Sequence, residues 1–310
     1  MTTSPSAITI CRPESADKLA DLEPLFAEIF GPRDRPKGWF RRKLRREVVD
    51  PAVSRIARSA RGELLGAVLV GNPPSLPKTA QIALLGVLKA FQGRGCGTQL
   101  LRAAISAARS RGLQHLTVLA EPQRVHFYET AGFQANLSQT TLVATTPDRA
   151  QKPPMPVLKL PPAPWKRPRT TAICGWFEEA WLRTPQAERQ TIAIGSHNKP
   201  QAWAHLSIEG QARLCHRLLI DTRSPPENLP ERALAACQAL RQAFTSAGPL
   251  FLYGLPTVSR VTDTLLRAGW RCAQESVLMV HPLQPHASPD TGVGRRQGAT
   301  ARVIMAADRR

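Results

Sequence analysis

The chain of 310 residues contains a long internal repeat, and this repeat constrains the fold more than any other feature. Three segments of the first half recur in the same order, displaced by 136 or 137 positions: Gly38-Trp39-Phe40 as Gly175-Trp176-Phe177, Arg124-Val125 as Arg260-Val261, and Ala131-Gly132-Phe133 as Ala268-Gly269-Trp270. Solenoid repeats are much shorter, about 20 to 50 residues. The repeat therefore predicts two copies of one domain, in agreement with the chain length.

A proline-rich segment separates the two copies. Eight prolines lie between positions 145 and 170, and proline fits neither a long helix nor a central strand. We predict a first domain at 1–146, a linker at 147–156, a second domain at 157–285 and a disordered basic tail at 286–310. The apolar fraction of 42% is sufficient for two packed cores.

The first copy shows a mixed pattern of strands and helices. Its periodicity predicts the order β-α-α-β-β-β-α-β-α-β, which is an α/β domain with a mixed sheet. The nearly continuous apolar run at Ala80–Leu88 predicts a buried central strand. A helix is predicted from Thr98 to Arg111, with its apolar face on Leu100, Leu101, Ala104, Ile105 and Ala108.

A glycine-rich loop connects this central strand to this helix. It reads Gln92-Gly93-Arg94-Gly95-Cys96-Gly97-Thr98. The glycines permit positive φ and close approach of a ligand, and a helix N-terminus attracts anions. The loop has neither the Gly-Lys-Ser/Thr of a P-loop nor the third glycine of a dinucleotide fingerprint. It therefore predicts a pyrophosphate site of another kind.

The pattern Gln-x-x-Gly-x-Gly at Gln92, Gly95 and Gly97 resembles the acetyl-CoA signature of the GNAT superfamily of N-acetyltransferases. The segment from Val125 to Phe133, which reads VHFYETAGF, is similar to a second segment of that family. The predicted order of strands and helices is also that of the family. The resemblance covers about residues 7–143 and implies two tandem GNAT-like domains, of which the second is a diverged copy.

The resemblance implies that the first copy binds acetyl-CoA as a cosubstrate. The pantetheine arm would pair with the fourth strand, and the pyrophosphate would bind the loop amides. Arg124 stands where the family often has asparagine, and its guanidinium suits a CoA phosphate. The implied cofactor-binding residues are Leu85, Gly86, Val87, Leu88, Gln92, Gly93, Arg94, Gly95, Cys96, Gly97, Thr98 and Arg124.

The resemblance also implies a direct transfer of the acetyl group in a ternary complex. Tyr128 would be the general acid that protonates the departing thiolate, and the N–H of Leu88 would polarise the thioester carbonyl. The fourth strand has no carboxylate, so the base is open among water, Glu28 and Glu63. No metal site is predicted.

The second copy lacks the features of the cofactor loop. Its matching segment, Asn228 to Ala233, has no glycine, and Glu231 would repel a pyrophosphate. Thr264 stands at the position of Tyr128. We predict that this copy binds no CoA and walls the acceptor cleft of the first copy.

The predicted function is N-acetylation of an unidentified small-molecule or protein amine, and an anionic acceptor is one open choice. A non-catalytic CoA-binding sensor or scaffold is an alternative, and so is an RNA-associated enzyme acting on aminoacyl-tRNA. The formal net charge of +19 motivates the RNA alternative. Nucleic acid is not favoured, because 5% aromatic residues and no aromatic–basic interleaving are atypical of single-strand binders. The basic run at 41–46 is interpreted as a solvated helix face.

The six cysteines are scattered and form no Cys-x-x-Cys pair, which argues against a disulfide framework and a zinc ribbon. No apolar run approaches the roughly 18 residues of a membrane helix, and the N-terminal residues do not resemble a secretion signal. We expect a cytoplasmic protein with free thiols and no membrane partner.

Overall fold

The computed structural model describes residues 8–31, 37–74, 76–144, 155–160, 170–174, 178–196, 199–221, 226–243 and 248–283. Most of the predicted linker, the predicted tail and the repeated segment at 175–177 lie outside these residues.

The first half forms the strands and helices that its sequence predicts, in the predicted order. A short 3₁₀ turn at Ala20–Leu22 divides the first predicted helix into two. The elements are β1 (Thr9–Cys11), α1 (Ala16–Leu19), α2 (Glu23–Phe30), α3 (Trp39–Arg46), β2 (Arg55–Arg58), β3 (Leu64–Gly71), β4 (Thr79–Val87), α4 (Cys96–Ser110), β5 (His115–Ala120), α5 (Val125–Glu129) and β6 (Gln134–Ala144).

The described residues of the second half repeat this order except near the start, where a strand and a short helix stand in the place of α1, α2 and α3. Its elements are β7 (Val157–Leu160), β8 (Thr170–Cys174), α6 (Glu178–Leu182), β9 (Arg189–Ser196), β10 (Lys199–Glu209), β11 (Ala212–Asp221), α7 (Leu229–Ala243), β12 (Leu250–Pro256), α8 (Arg260–Arg267) and β13 (Arg271–Pro282).

All the described strands belong to one mixed sheet that runs through both halves. Its order is β1-β2-β3-β4-β5-β13-β6-β12-β11-β10-β9-β7, and β8 pairs with β11 beside this path. The last strands of the two halves are exchanged: β13 lies between β5 and β6, and β6 lies between β13 and β12. The predicted domain boundaries at 146 and 157 divide the chain into two halves, but the strands of both halves belong to one sheet.

Helices cover both faces of the first half of the sheet. The predicted apolar face of α4 is buried and packs with Val68 and Val118 on one face. On the other face Phe26 of α2 and Phe40 of α3 pack with Ala67 and Leu69. Apolar side chains on both faces of the sheet explain why β3 and β4 read as nearly continuous apolar runs.

Candidate active site

Two central strands of the first half diverge and open a wedge in the sheet. The parallel pairing of β4 with β5 extends only from Thr79, opposite His115, to Ile82, opposite Val118, within the described residues. On its other edge β4 keeps its antiparallel pairing with β3 as far as Val87. The β5-facing edge of β4 beyond Ile82 is therefore available to an added strand or a strand-like ligand.

The backbone groups on this edge follow from the alternation along a strand. The N–H of Leu88 donates to the carbonyl of Leu65 in β3 at 2.8 Å, so Leu88 faces β3. The backbone N–H and C=O groups of successive residues point to opposite edges of a strand. The backbone groups of Leu85 and Val87 therefore face the wedge. The prediction that the Leu88 N–H polarises a thioester is therefore wrong, since that amide already has an acceptor.

The glycine-rich loop lies at the end of β4. Gly93 and Gly95 have φ values of 73° and 78°, a left-handed conformation that glycine adopts without strain. The stretch from Gln92 to Gly95 is exposed, and Gln92 Nε2 donates to the Val87 carbonyl at 2.9 Å. This bond ties the start of the loop to the wedge.

The loop leads directly into α4, which begins at Cys96 after the left-handed Gly95. The first amides of a helix have no acceptor within the helix, so the N–H groups of Cys96, Gly97 and Thr98 form the start of the helix dipole. The Cys96 side chain is buried, and burial raises the pKa of its thiol. The loop thus exposes backbone amides, while the Cys96 side chain packs in the core.

Two arginines of the predicted site are exposed beside this backbone. The Arg94 guanidinium lies 5.6 Å from the centre of the Phe91 ring, a distance that permits a cation–π contact. Arg124 is exposed where a 3₁₀ turn precedes α5. Both guanidinium groups are accessible to an anionic ligand, and their roles stay predictions.

The predicted acid, Tyr128, is buried in α5 and keeps 8% of its surface exposed. Its ring packs edge-on against Phe127 and Phe133, at 5.1 Å and 5.5 Å between ring centres. Phe127 also places α5 beside the loop, because a Cβ added at Gly97 would lie 3.6 Å from the Phe127 ring. Burial raises the pKa of Tyr128 to about 12, while nearby Arg124 lowers it and Glu121 raises it. The phenol therefore keeps its proton at neutral pH, as a general acid must.

This pKa gives a testable dependence of stability on pH. The folded pKa of Tyr128 is raised above its ordinary value, so the associated stability is complete below about pH 10 and is lost as pH rises through about 12. We expect the unfolding free energy of the wild type to fall more steeply over this range than that of Tyr128→Phe, by roughly 1–3 kcal/mol in total. Urea unfolding at several pH values measures the difference, and parallel curves would contradict it.

The candidate bases occupy different surroundings. Glu28 is exposed on α2. Glu63 is exposed at the turn between β2 and β3, where its carboxylate accepts from the Ser59 hydroxyl at 3.2 Å.

The basic helix α3 contains one arginine that is not solvated, which corrects the sequence interpretation. The Arg46 side chain is 9% exposed and forms an ion pair with Glu209 of the second half. Its Nη2 lies 4.0 Å from the Glu188 carboxylate, and its Nε donates to the Thr184 hydroxyl at 3.1 Å. Burial lowers the pKa of Arg46, as does nearby Arg42. Arg46 therefore ties α3 to the second half, a role that the sequence analysis missed.

The described part of the chain contains neither a candidate metal site nor a candidate membrane-spanning helix. No group of three or more His, Cys, Asp or Glu side chains in that part could hold a metal ion. In the same part no helix has both the length and the apolar character needed to cross a membrane.

Comparison with known families gives the first half its assignment. Residues 19–133 match the model of the Acetyltransferase (GNAT) family. Residues 19–133 therefore form a GNAT-like domain. The matched residues include the wedge, the glycine-rich loop and Tyr128, and they agree with the resemblance seen in the sequence.

One curated relative is the mycothiol acetyltransferase of Propionibacterium freudenreichii subsp. shermanii. It is 30% identical over 116 residues, which are 36% of this chain and 37% of that protein. The chain thus matches little more than a third of the relative's length.

Solved structures share the fold across both halves. A GCN5-related N-acetyltransferase from Sphaerobacter thermophilus matches with a TM-score of 0.63 and 15% identity, covering 91% of this chain and 98% of that chain. A tandem GNAT protein from the clavulanic acid biosynthesis pathway matches with a TM-score of 0.55 and 15% identity, covering 90% and 99%. The predicted α/β fold with tandem GNAT-like domains is confirmed.

Proposed function

We propose that this protein is an acetyl-CoA-dependent N-acetyltransferase whose active site lies in the first half of the chain. The observation that carries the proposal is the free edge of β4 beside an exposed, left-handed glycine loop at the start of α4. An acetyl thioester on a pantetheine arm with a pyrophosphate fits both features at once. The edge takes the amide-bearing arm, and the loop takes the anion.

Backbone groups would hold most of the cosubstrate. The N–H and C=O of Leu85 face the wedge and would pair with the amides of the pantetheine arm. The amides of the loop and of the first turn of α4 would bind the pyrophosphate. Among the predicted binding residues, Gly86 and Leu88 face β3 and would support the strand rather than contact the arm.

Acetyl-CoA supplies an acetyl group on a thiol leaving group. The Val87 N–H, which faces the wedge one residue before the engaged Leu88, would donate to the thioester carbonyl. A neutral acceptor amine forms the new C–N bond as the C–S bond breaks, and Tyr128 donates its proton to the sulfur. The acceptor amine loses one proton, through water or one of the candidate carboxylates.

The acceptor would enter from the side of the first domain that α1, α2 and α3 cover, with the second half as a wall. The Arg46 contacts support this arrangement, because they fix α3 against the second half. The name of the curated relative puts small amines related to mycothiol first in an acceptor screen. No observation on the described residues favours the CoA-sensor alternative or the aminoacyl-tRNA alternative.

A pair of glycine variants tests the cofactor site. Gly93 and Gly112 have nearly the same φ, 73° and 71°, and a Cβ at either would meet nothing within 4 Å. Gly93→Asp and Gly112→Asp therefore impose the same backbone strain, but only Gly93→Asp places a carboxylate at the proposed pyrophosphate site. We expect Gly93→Asp to weaken acetyl-CoA binding about tenfold, on the order of 1.4 kcal/mol.

Isothermal titration calorimetry with acetyl-CoA measures both variants against the wild type. The Gly112→Asp control should bind as the wild type does. Equal loss in the two variants would assign the effect to strain. An absence of binding in the wild type would remove the proposed function altogether.

A further inference from the structure

The second half of the sheet contains a second wedge, at the position equivalent to the first. The parallel pairing of β11 with β12 covers only Arg213–Cys215, opposite Leu250–Leu252, within the described residues. Beyond Cys215 the two strands separate, as β4 and β5 do beyond Ile82. The fold thus builds the same opening twice.

The second wedge is filled by the chain itself. Strand β8 pairs antiparallel with β11, from Thr170 opposite Asp221 to Cys174 opposite Leu218. The other edge of β11 already pairs with β10 from Ala212 to Ile220. Strand β8 must therefore lie on the edge of β11 that faces β12, inside the opening.

The start of helix α7, beside this wedge, is also unlike an anion site. Helix α7 begins at Leu229 without a glycine, and Glu231 lies in its first turn. A carboxylate there opposes a bound phosphate through like-charge repulsion. The strand edge and the helix start of the second half thus both depart from the arrangement in the first half.

We propose that Thr170–Cys174 is an internal substitute for a pantetheine arm, which permanently closes the second wedge. This proposal rests on the proposed function, because it takes the first wedge to be the cleft that binds acetyl-CoA. It follows that the chain binds one acetyl-CoA, in its first half, although it contains two wedges.

Closure of the second wedge also has a consequence for the first active site. Strand β8 ends four residues before α6 begins, and the indole N–H of Trp181 in α6 donates to the Leu206 carbonyl of β10 at 3.0 Å. Thr184, just after α6, is a partner of Arg46. The strand in the wedge therefore anchors the segment against which α3 of the first half is held.

Hydrogen exchange on the full chain tests the closure without any ligand. Amides of Leu218–Asp221 alternate between the β8-facing and the β10-facing edge, so the β10-facing amides serve as internal controls. Ala172→Pro removes a backbone donor from β8 and should speed exchange of the β8-facing amides by about tenfold or more, with the β10-facing amides unchanged. Ala172→Ser keeps the donor and should exchange as the wild type does. Wild-type β8-facing amides that exchange like an unprotected peptide would overturn the proposal.

A disulfide lock tests whether the closure is permanent. Ala172 and Leu219 are directly opposite in register, so the double variant Ala172→Cys/Leu219→Cys can join β8 to β11 on oxidation. Calorimetry should give one acetyl-CoA per chain for the wild type and for the variant, both oxidised and reduced. Two sites in the wild type, reduced to one by oxidation, would make β8 a displaceable lid and overturn the proposal.

The two tests separate this proposal from the proposed function. Absence of acetyl-CoA binding in the wild type would refute the cofactor site and the single-site count, while exchange of the Leu218–Asp221 amides would still decide whether β8 closes the wedge. Fast exchange with one bound acetyl-CoA would refute the closure alone.

Discussion

Tyr128→Phe is expected to slow acetyl transfer by about 100-fold or more, the usual contribution of a positioned general acid. The substitution removes only the hydroxyl, and the ring contacts with Phe127 and Phe133 can remain. Acetyl-CoA affinity should therefore change little. Release of CoA thiol, measured with the amine acceptor that the wild type turns over, gives the rate, and calorimetry gives the affinity.

The chain offers a matched control, because it contains only two tyrosines. Tyr253 lies in β12 of the second half, where its ring stacks near His216 and Phe251. Tyr253→Phe removes the same hydroxyl from the second half, near Arg46, and should leave the transfer rate unchanged because no proton donation is proposed for Tyr253. If both variants lose activity equally, the loss cannot be assigned to proton donation by Tyr128.

The leaving group gives a second readout for the same role. An acetyl donor with a more acidic thiol needs less protonation as its C–S bond breaks. The defect of Tyr128→Phe should therefore shrink with such a donor. A defect that is the same for both donors would indicate that Tyr128 acts only by packing.

The sequence predicts the first half well because its signals are local. Helix α4 and strand β4 follow from apolar periodicity over short windows, and the loop follows from glycines at positions where the backbone has positive φ. Each of these features depends on residues within a few positions of one another.

The sequence does not predict features that depend on distant strands. The exchange of β6 and β13 pairs residues more than a hundred positions apart, such as Val277 with Ala120, and no local pattern encodes that choice. The strand β8 in the second wedge is another such feature. Its sequence is short and follows a proline-rich stretch, so nothing local indicates that it pairs with β11.

The sequence does not distinguish whether the Leu88 or the Val87 N–H faces the wedge, and the proposed mechanism depends on this distinction. Periodicity identifies the strand but not which edge each amide faces. Only the bond from Leu88 to Leu65 fixes the alternation. A shift of one residue exchanges every edge group of the strand, and it moves the proposed oxyanion donor from Leu88 to Val87.

Arg46 provides the largest stability effect that we expect. Its side chain is nearly buried, and its partners Glu209, Glu188 and Thr184 all belong to the second half. Removing one member of a buried ion pair leaves the other charge uncompensated, which typically costs about 3–5 kcal/mol. Because Glu209 is partly exposed, with 20% of its side chain accessible, we expect Arg46→Met to cost roughly 2–3 kcal/mol.

Arg45 supplies the matched control for this experiment, because it is the adjacent arginine of the same helix and is exposed. Arg45→Met should change the unfolding free energy by no more than about 0.5 kcal/mol. Arg46→Met, in contrast, should lower the melting temperature by several degrees. A double-mutant cycle with Glu209→Gln isolates the pair, since the second substitution should cost less once Arg46 is absent. If Arg45→Met and Arg46→Met are equally mild, the contact does not hold α3 against the second half. A large coupling energy would instead establish that the two halves, which already share one sheet, are also fixed to each other at α3, beside the proposed acceptor entrance.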